Sequence, residues 1–142
     1  MADITSIGRI VSRPLRQLFR PLAISEVGMS AQQEFMETIS ANIANAETTR
    51  TAEGGPYRRQ VAVVHGNAAA GSVTAQVVAD PTTGRLVYDP GHPDADKNGY
   101  VHMPNVDTST ELVDLMVARR MHEANATAFQ AAKAMLRRAI DI

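Results

Sequence analysis

The fold of this chain is decided by residues 105–142, which read NVDTSTELVDLMVARRMHEANATAFQAAKAMLRRAIDI. This stretch contains neither glycine nor proline. Its apolar side chains recur at steps of three and four residues, which predicts one long amphipathic helix. At a rise of 1.5 Å per residue, such a helix would be about 45 Å long. It is too long for a chain of 142 residues to bury.

The long helix carries its own start signal and a defined apolar stripe. Residues 108–111, Thr-Ser-Thr-Glu, fit a capping box, in which the first hydroxyl accepts a hydrogen bond from the fourth backbone N–H. Three cations near the end, Lys133, Arg137 and Arg138, suit the negative end of the helix dipole. Seven residues on one side form what we call the 113–135 stripe: Val113, Val117, Met121, Ala124, Ala128, Ala131 and Met135.

A second amphipathic helix precedes the middle of the chain. Ser25 or Ser30 is its candidate N-cap. We expect the helix to end near Ala46, where a polar run begins. Its apolar stripe consists of four residues at steps of four: Ala31, Phe35, Ile39 and Ile43.

Residues 50–104, between the two helices, are predicted to form short strands and turns. Strong turn signals occur at 81–84 and 89–93. Four segments rich in valine or tyrosine are the candidate strands: Tyr57–His65, Ser72–Ala79, Arg85–Tyr88 and Tyr100–Met103. The predicted fold class is therefore mainly α with a small β insertion.

Residues 1–22 form a basic leader that we expect to be mobile. Prolines at 14 and 21 interrupt it, and its regular arginines leave no continuous apolar segment for a cleaved signal peptide. A membrane-surface helix, and with it a peripheral membrane adaptor, is the alternative interpretation. The arginines that favour it fall at helical spacing: Arg9, Arg13, Arg16 and Arg20.

Composition excludes several classes of protein. The chain has no cysteine, so it forms no disulfide and no thiolate metal site. A net charge of −1 argues against a general nucleic-acid binder, and no apolar run approaches the length of a transmembrane segment. The four histidines and the serines show no metal-ligand or nucleophile spacing. We therefore predict no enzymatic activity and no cofactor.

Residues 94–99, Asp-Ala-Asp-Lys-Asn-Gly, are the best candidate for a metal site. Asp94, Asp96 and Asn98 occupy the first three ligand positions of an EF-hand loop, and Gly99 follows at the turn position. The closing glutamate is missing, because Asn105 stands in its place. The sequence favours a surface turn over calcium binding here. A calcium-binding module remains the alternative function, and no metal is predicted.

Several segments resemble the flagellar axial protein family, which includes rod, hook and hook-associated proteins. Residues 40–49, SANIANAETT, resemble the family signature SxNIANAxT. Further segments are similar to members of the proximal rod: 54–59, 85–96, 99–101, 104–106, 123–125 and 131–136. The resemblance covers about residues 22 to 142, so it leaves most of the basic leader unexplained.

The resemblance implies an architecture and a role. The terminal helices, 23–49 and 105–142, would pair as an antiparallel coiled-coil-like layer, and residues 50–104 would face outward or contact the next subunit. The protein would be a structural subunit of the proximal rod of the flagellar basal body. It would assemble with itself and other rod proteins into a helical tube that transmits torque and encloses the export channel.

The resemblance also implies location and partners. The chain would cross to the periplasmic span of the rod through the flagellar type III export apparatus, without a cleaved signal peptide. The MS ring or a rod-base adaptor is a further candidate partner, and no nucleic acid is expected. The candidate assembly interface comprises Phe35, Ile39, Asn42, Ile43, Asn45, Tyr57, Arg58, Arg59, Val113, Val117, Met121, Glu123, Ala124, Asn125, Ala128, Ala131 and Met135.

Overall fold

Two helices bracket the described part of the chain. The computed structural model describes residues 26–67 and 72–140. Helix α1 covers 26–44 and helix α2 covers Thr108–Ile140. The end of α1 confirms the expected stop near Ala46, where a polar turn follows. The basic leader, residues 1–22, lies outside the described residues.

Two short antiparallel sheets lie between the helices. Strand β1, Gln60–Asn67, pairs with β2, Ser72–Ala79, over eight residues each. Strand β3, Leu86–Tyr88, pairs with β4, Tyr100–His102. Each of the four strands overlaps a predicted segment. However, β1 begins three residues after Tyr57 and ends two residues after His65, and β3 begins one residue after Arg85. The described chain is mainly helical with a small β part, as predicted.

The capping prediction for α2 is wrong at its first residue. Asp107 is the N-cap, because its Oδ1 accepts hydrogen bonds from the backbone N–H groups of Ser109 at 2.9 Å and Thr110 at 3.2 Å. Thr108 is already helical, and Glu111 turns into the interior instead of reaching back to the cap. The Ser30 cap is also wrong, since Ser30 lies inside α1, while Ser25 lies outside the described residues.

Contacts between α1 and α2 occur at three levels. From one contact to the next, the residue number of the α1 partner rises by the same amount as the residue number of the α2 partner falls. The two helices therefore run in opposite directions. The contacts join Gly28 to Asn125, Gln32 to Met121, and Asn42 to Glu111.

The face of α2 that packs inward differs from the 113–135 stripe. Glu111 and Ala118 are buried. Half-buried residues continue the same face at steps of three and four: Leu115, His122, Asn125 and Phe129. The 113–135 stripe lies on the neighbouring face and is exposed. A helix with 3.6 residues per turn can carry two such stripes, and its sequence does not say which one meets α1.

The apolar core of the described residues is thin. Its buried hydrophobic side chains are Ile39, Ala62, Val101 and Ala118. They come from α1, β1, β4 and α2, so each element adds a single small or medium side chain. None of the helices in the described ranges is long and apolar enough to span a bilayer.

Gly84 lies where two backbone segments cross. A Cβ atom at this position would stand 1.8 Å from the carbonyl oxygen of Met103. The same crossing is held by a hydrogen bond of 2.9 Å from the Met103 N–H to the Arg85 carbonyl. Only glycine fits without a shift of the backbone.

We expect Gly84→Ala to lower the free energy of unfolding by about 1–3 kcal/mol, because the added methyl forces the crossing segments apart. Chemical denaturation measures this. Gly66→Ala is the matched control, since a Cβ there meets nothing within 4 Å. Equal stabilities of the two variants would contradict this account of the crossing.

Candidate assembly site

Asn42 joins α1 to the start of β1 and to α2. The residue is 1% exposed, and its side-chain amide makes four hydrogen bonds. Its Nδ2 donates to the Gln60 carbonyl at 2.8 Å and to Glu111 Oε2 at 3.0 Å. Its Oδ1 accepts from the Gln60 N–H at 2.8 Å and from the Tyr57 hydroxyl at 3.0 Å. Every polar group of this buried amide is therefore satisfied.

Glu111 is the most deeply buried charged group of the described chain, at 0% exposure. Its Oε1 accepts a hydrogen bond of 2.6 Å from Arg59 Nε, and its Oε2 accepts the bond from Asn42. A buried carboxylate is tolerated only when it is paired and hydrogen-bonded in this way. We call Asn42, Tyr57, Arg59, Gln60 and Glu111 the Asn42 network.

Arg59 carries one positive charge and lies near three carboxylates. Its guanidinium lies 3.9 Å from Asp80 and 3.8 Å from Asp114, in addition to the close contact with Glu111. The Arg59 backbone N–H donates to Asn105 Oδ1 at 2.7 Å, which ties the same residue to the segment before α2. One residue thus links β1, β2 and the start of α2.

Two side chains near Arg59 have shifted pKa values. Burial, together with the negative charge of Glu111, raises the pKa of Tyr57 above its ordinary value. Hydrogen bonds from the Thr82 N–H and hydroxyl lower the pKa of Asp80, and Arg59 adds to the effect. Tyr57 therefore stays a neutral donor and Asp80 a charged acceptor at neutral pH.

Residues 40–49, which carry the family signature, form the hydrogen bonds that end α1. Asn45 Nδ2 donates to the Ala41 carbonyl at 2.9 Å, and its Oδ1 accepts from the Thr48 hydroxyl at 3.1 Å. The Thr48 carbonyl then accepts the Tyr57 N–H at 2.9 Å. These bonds turn the chain back so that Tyr57 reaches Asn42.

The candidate calcium segment is a structural turn. Asp94 accepts a hydrogen bond of 2.7 Å from the Thr49 hydroxyl and forms an ion pair of 2.5 Å with Arg50. Asp96 Oδ1 accepts from the N–H groups of Asn98 and Tyr100 at 2.8 and 2.9 Å. In the ranges described, no group of three or more His, Cys, Asp or Glu side chains could hold a metal ion. The calcium alternative gains no support, and the arginines behind the membrane alternative lie outside those ranges.

A groove of about 360 Å³ opens between α1, β1 and α2. Arg59, Glu111 and Asp114 lie at its polar end. Its walls are largely apolar and include Phe35, Ile39, Val61, Val117 and Met121. The groove therefore borders the exposed 113–135 stripe.

Some of the predicted interface residues lie close together in the structure, and the others lie apart. Asn42, Tyr57 and Arg59 meet in the Asn42 network, and Asn125 lies on the α1 side of α2 near Gly28. Ile43 is half-buried, while Arg58 is exposed beside the same turn. The remaining α2 residues are exposed: Val113, Val117, Met121, Glu123, Ala124, Ala128, Ala131 and Met135.

Sequence reasoning missed four polar residues of this site. Glu111 was predicted only as part of a helix cap, and Asp80, Asn105 and Asp114 received no role. The burial of Glu111 could have been predicted from its spacing. It stands four residues before Leu115 and seven before Ala118, on the face of α2 that packs inward.

Comparison with known proteins identifies the class. The family model for the flagella basal body rod protein matches residues 22–50, and the model for the C-terminal part of the flagellar basal body rod FlgEFG protein matches residues 97–142. These matches contain α1 and α2, so both helices of the fold are those of flagellar rod proteins.

Curated relatives make the assignment more specific. The flagellar basal-body rod protein FlgC of Borreliella burgdorferi is 36% identical over 88% of this chain and 97% of that protein. FlgC of Bacillus subtilis is 37% identical over 87% and 97%, and FlgC of Aquifex aeolicus is 33% identical over 89% and 98%. The chain belongs to the FlgC family of flagellar basal-body rod proteins. It is a structural rod component of the basal body and not an enzyme.

We expect Asn42→Ala to lower the free energy of unfolding by about 3 kcal/mol, because Glu111, Tyr57 and the Gln60 backbone each lose a partner. Denaturation followed by circular dichroism measures the loss. Asn45→Ala removes bonds only around the end of α1 and should cost about 1 kcal/mol or less. If the two variants cost the same, the Asn42 network is not the junction described above.

The raised pKa of Tyr57 predicts a loss of stability in alkali. A raised folded-state pKa favours the neutral phenol, so its contribution is complete below the ordinary value near 10.0 and disappears as pH rises through the folded-state value. The stability difference between the wild type and Tyr57→Phe should therefore be constant up to about pH 10 and shrink over the range above it. A difference that stays constant over this range would refute the predicted shift.

Proposed function

We propose that α1 and α2 form a coiled-coil-like layer through which this rod subunit packs into a helical tube. The regular contacts between Gly28 and Asn125, Gln32 and Met121, and Asn42 and Glu111 support an antiparallel layer. The packed face of α2 repeats at steps of four and three, which is the spacing of a coiled-coil seam. Residues 23–49 and 105–142 would then be the axial core, and 50–104 an insertion.

The observation that carries the proposal is the exposed 113–135 stripe. Val113, Val117, Met121 and Met135 are 51–65% exposed on a helix of 33 residues. Contiguous exposed apolar surface of this kind marks a protein interaction site. The alanines between these residues would let another helix approach closely.

The stripe also suits an open assembly. It lies on one face of α2, and a different surface of the next subunit would cover it. A contact between two different surfaces of the same protein is heterologous, and repeated heterologous contacts build a helical tube instead of a closed ring unless the rotation closes. Such a tube would transmit torque and enclose the export channel.

Other rod proteins would continue the tube above and below this subunit. Membership of the FlgC family supports a place in the proximal rod, in the periplasmic span of the basal body. We further propose export through the flagellar type III apparatus without a cleaved signal peptide, and contact with the MS ring or a rod-base adaptor. The basic leader, residues 1–22, is a candidate for that contact.

We expect Ala128→Glu to abolish swimming while leaving the isolated subunit folded. The carboxylate would be placed within the stripe, where a neighbouring helix would have to bury it. Motility on soft agar and the amount of the chain in purified basal bodies measure the effect, and circular dichroism checks the fold.

Gln130→Glu is the control, because residue 130 is exposed and lies about 160° around the helix from residue 128. It should swim and enter basal bodies like the wild type. Normal incorporation of Ala128→Glu would contradict the proposed role of the stripe.

A further inference from the structure

The groove between α1, β1 and α2 combines apolar walls with an acidic end. Phe35, Val61 and Val117 each come from a different one of the three elements and line its walls. Its volume of about 360 Å³ is at the small end of the range for binding pockets, so it fits a few side chains of a chain segment. An apolar groove of this kind is a common binding site for an amphipathic segment.

The acidic end of the groove lies around Arg59. Glu111 makes the close contact with this guanidinium at 2.6 Å, while Asp80 and Asp114 approach it only to 3.9 and 3.8 Å. Three carboxylates therefore face one cation, which leaves a local excess of negative charge. The Asp114 side chain is 49% exposed and lines the groove, so it can accept a second cation there.

Residues 9–20 of the basic leader, RIVSRPLRQLFR, have the complementary chemistry. The segment contains four arginines and no acidic residue. Its arginines suit the acidic end of the groove, and its apolar side chains suit the walls. The apolar side chains are Ile10, Val11, Leu15, Leu18 and Phe19.

The leader joins α1 at a place from which it can reach the whole groove. The described part of α1 begins at Glu26, and α1 lines the groove from Gln32 to Asn42. Asn42 lies 16 positions after Glu26, which is about 24 Å along the helix. Arg9 lies 17 positions before Glu26, which spans about 26 Å as a helix and about 56 Å as an extended chain. A leader that folds back beside α1 therefore covers the full length of the groove.

We propose that residues 9–20 fold back along α1 and occupy the groove of their own subunit. Leu15 and Leu18 pack between the apolar walls, and Arg13 and Arg16 lie at the acidic end, beside Asp114. Their own subunit is favoured over a second copy, because residues 21–25 keep the segment within reach of this groove at an effective concentration on the order of 1 mM.

Distances along the chain select the arginines that meet Asp114. Ile39, which lines the groove together with Asp114, lies 13 positions after Glu26, or about 20 Å along α1. Arg13 and Arg16 span this distance in conformations between a helix and an extended chain. Arg20 would span it only when fully extended, which leaves no residues for the turn.

Docking of the leader leaves room for the proposed contact between rod subunits. Val117 and Met121 are the two residues of the 113–135 stripe that line the groove. The leader would contact their sides that face β1, and their outer sides, with the rest of the stripe, would remain for a neighbouring subunit. The inference thus goes beyond the proposed assembly and does not depend on it.

Cross-linking in the full chain at low concentration tests the docking. The chain has no cysteine, so Gln17→Cys in the leader and Gln60→Cys in the groove wall provide the only two thiols. Glu37→Cys replaces Gln60→Cys in the control, because Glu37 is exposed and lies about 160° around α1 from Phe35. A short bismaleimide should link residues 17 and 60 within one chain at least about tenfold more than residues 17 and 37, since only docking holds the first pair together.

Two results of this experiment would overturn the inference. Equal yields for the two pairs would mean that the leader does not dock, as expected if it serves only a ring protein, an adaptor or a membrane surface. A link between residues 17 and 60 that occurs only in a product of twice the chain mass would place the leader in the groove of a second copy. Neither result requires the rod to assemble, so the proposed function is tested separately.

Charge reversal tests the contact at the acidic end. Asp114→Lys should lower the yield of the link in the groove about two- to fivefold, which corresponds to the loss of a partly exposed ion pair. Glu123→Lys makes the same change of charge at an exposed position about 180° around α2, so it should leave the yield unchanged. Arg13→Glu together with Arg16→Glu should restore the yield in the Asp114→Lys chain. Equal yields from Asp114→Lys and Glu123→Lys, or no restoration, would contradict the proposed docking.

Discussion

The fold depends on the burial of one carboxylate. Glu111 is removed from water in the first turn of α2, and a buried charge is costly unless its pairing is complete. Arg59 supplies the opposite charge and Asn42 a further hydrogen bond. These partners come from α1 and from the start of β1, so satisfying Glu111 fixes three segments relative to each other. With only four buried hydrophobic side chains in the described residues, little else could do so.

The sequence predicts the elements better than it predicts their contacts. Periodicity and the absence of glycine and proline locate α2, and valine-rich segments bounded by turns locate the four strands. The cap of α2 was misassigned because Asp107 and Thr108 are both good N-caps, and only the three-dimensional position of Glu111 decides between them. The choice between two apolar stripes on α2 likewise depends on the position of α1.

The Asn42 network shows why the site was harder to predict than the fold. Asn42 belongs to the signature through which the chain resembles axial proteins, but its partners lie 18 and 69 positions away in sequence. Nothing local to SANIANAETT indicates that an amide will meet a strand edge on one side and a buried carboxylate on the other. The resemblance therefore gave the family correctly, while the physical role of its key asparagine required the structure.

Polar residues hold this subunit together, and exposed apolar residues are left for contacts with its neighbours. The polar residues around Asn42 hold α1, β1 and α2 together, whereas the 113–135 stripe and the valines of β1 and β2 at 63, 64, 77 and 78 are apolar and exposed. A subunit held by its own apolar core would have fewer such side chains left for its neighbours. On this account, the core is thin and the stripe is exposed for the same reason: most large apolar side chains are buried between subunits and not within one subunit.

Oxidation of methionine side chains tests this account most directly, because exposed thioethers oxidise readily and buried ones are protected. Met121 and Met135 lie in the stripe and are 51% and 65% exposed in the isolated subunit. Peroxide treatment followed by mass spectrometry should modify both in dilute monomer and leave both protected in purified basal bodies. Equal modification in the two states would contradict the claim that the stripe is buried between rod subunits.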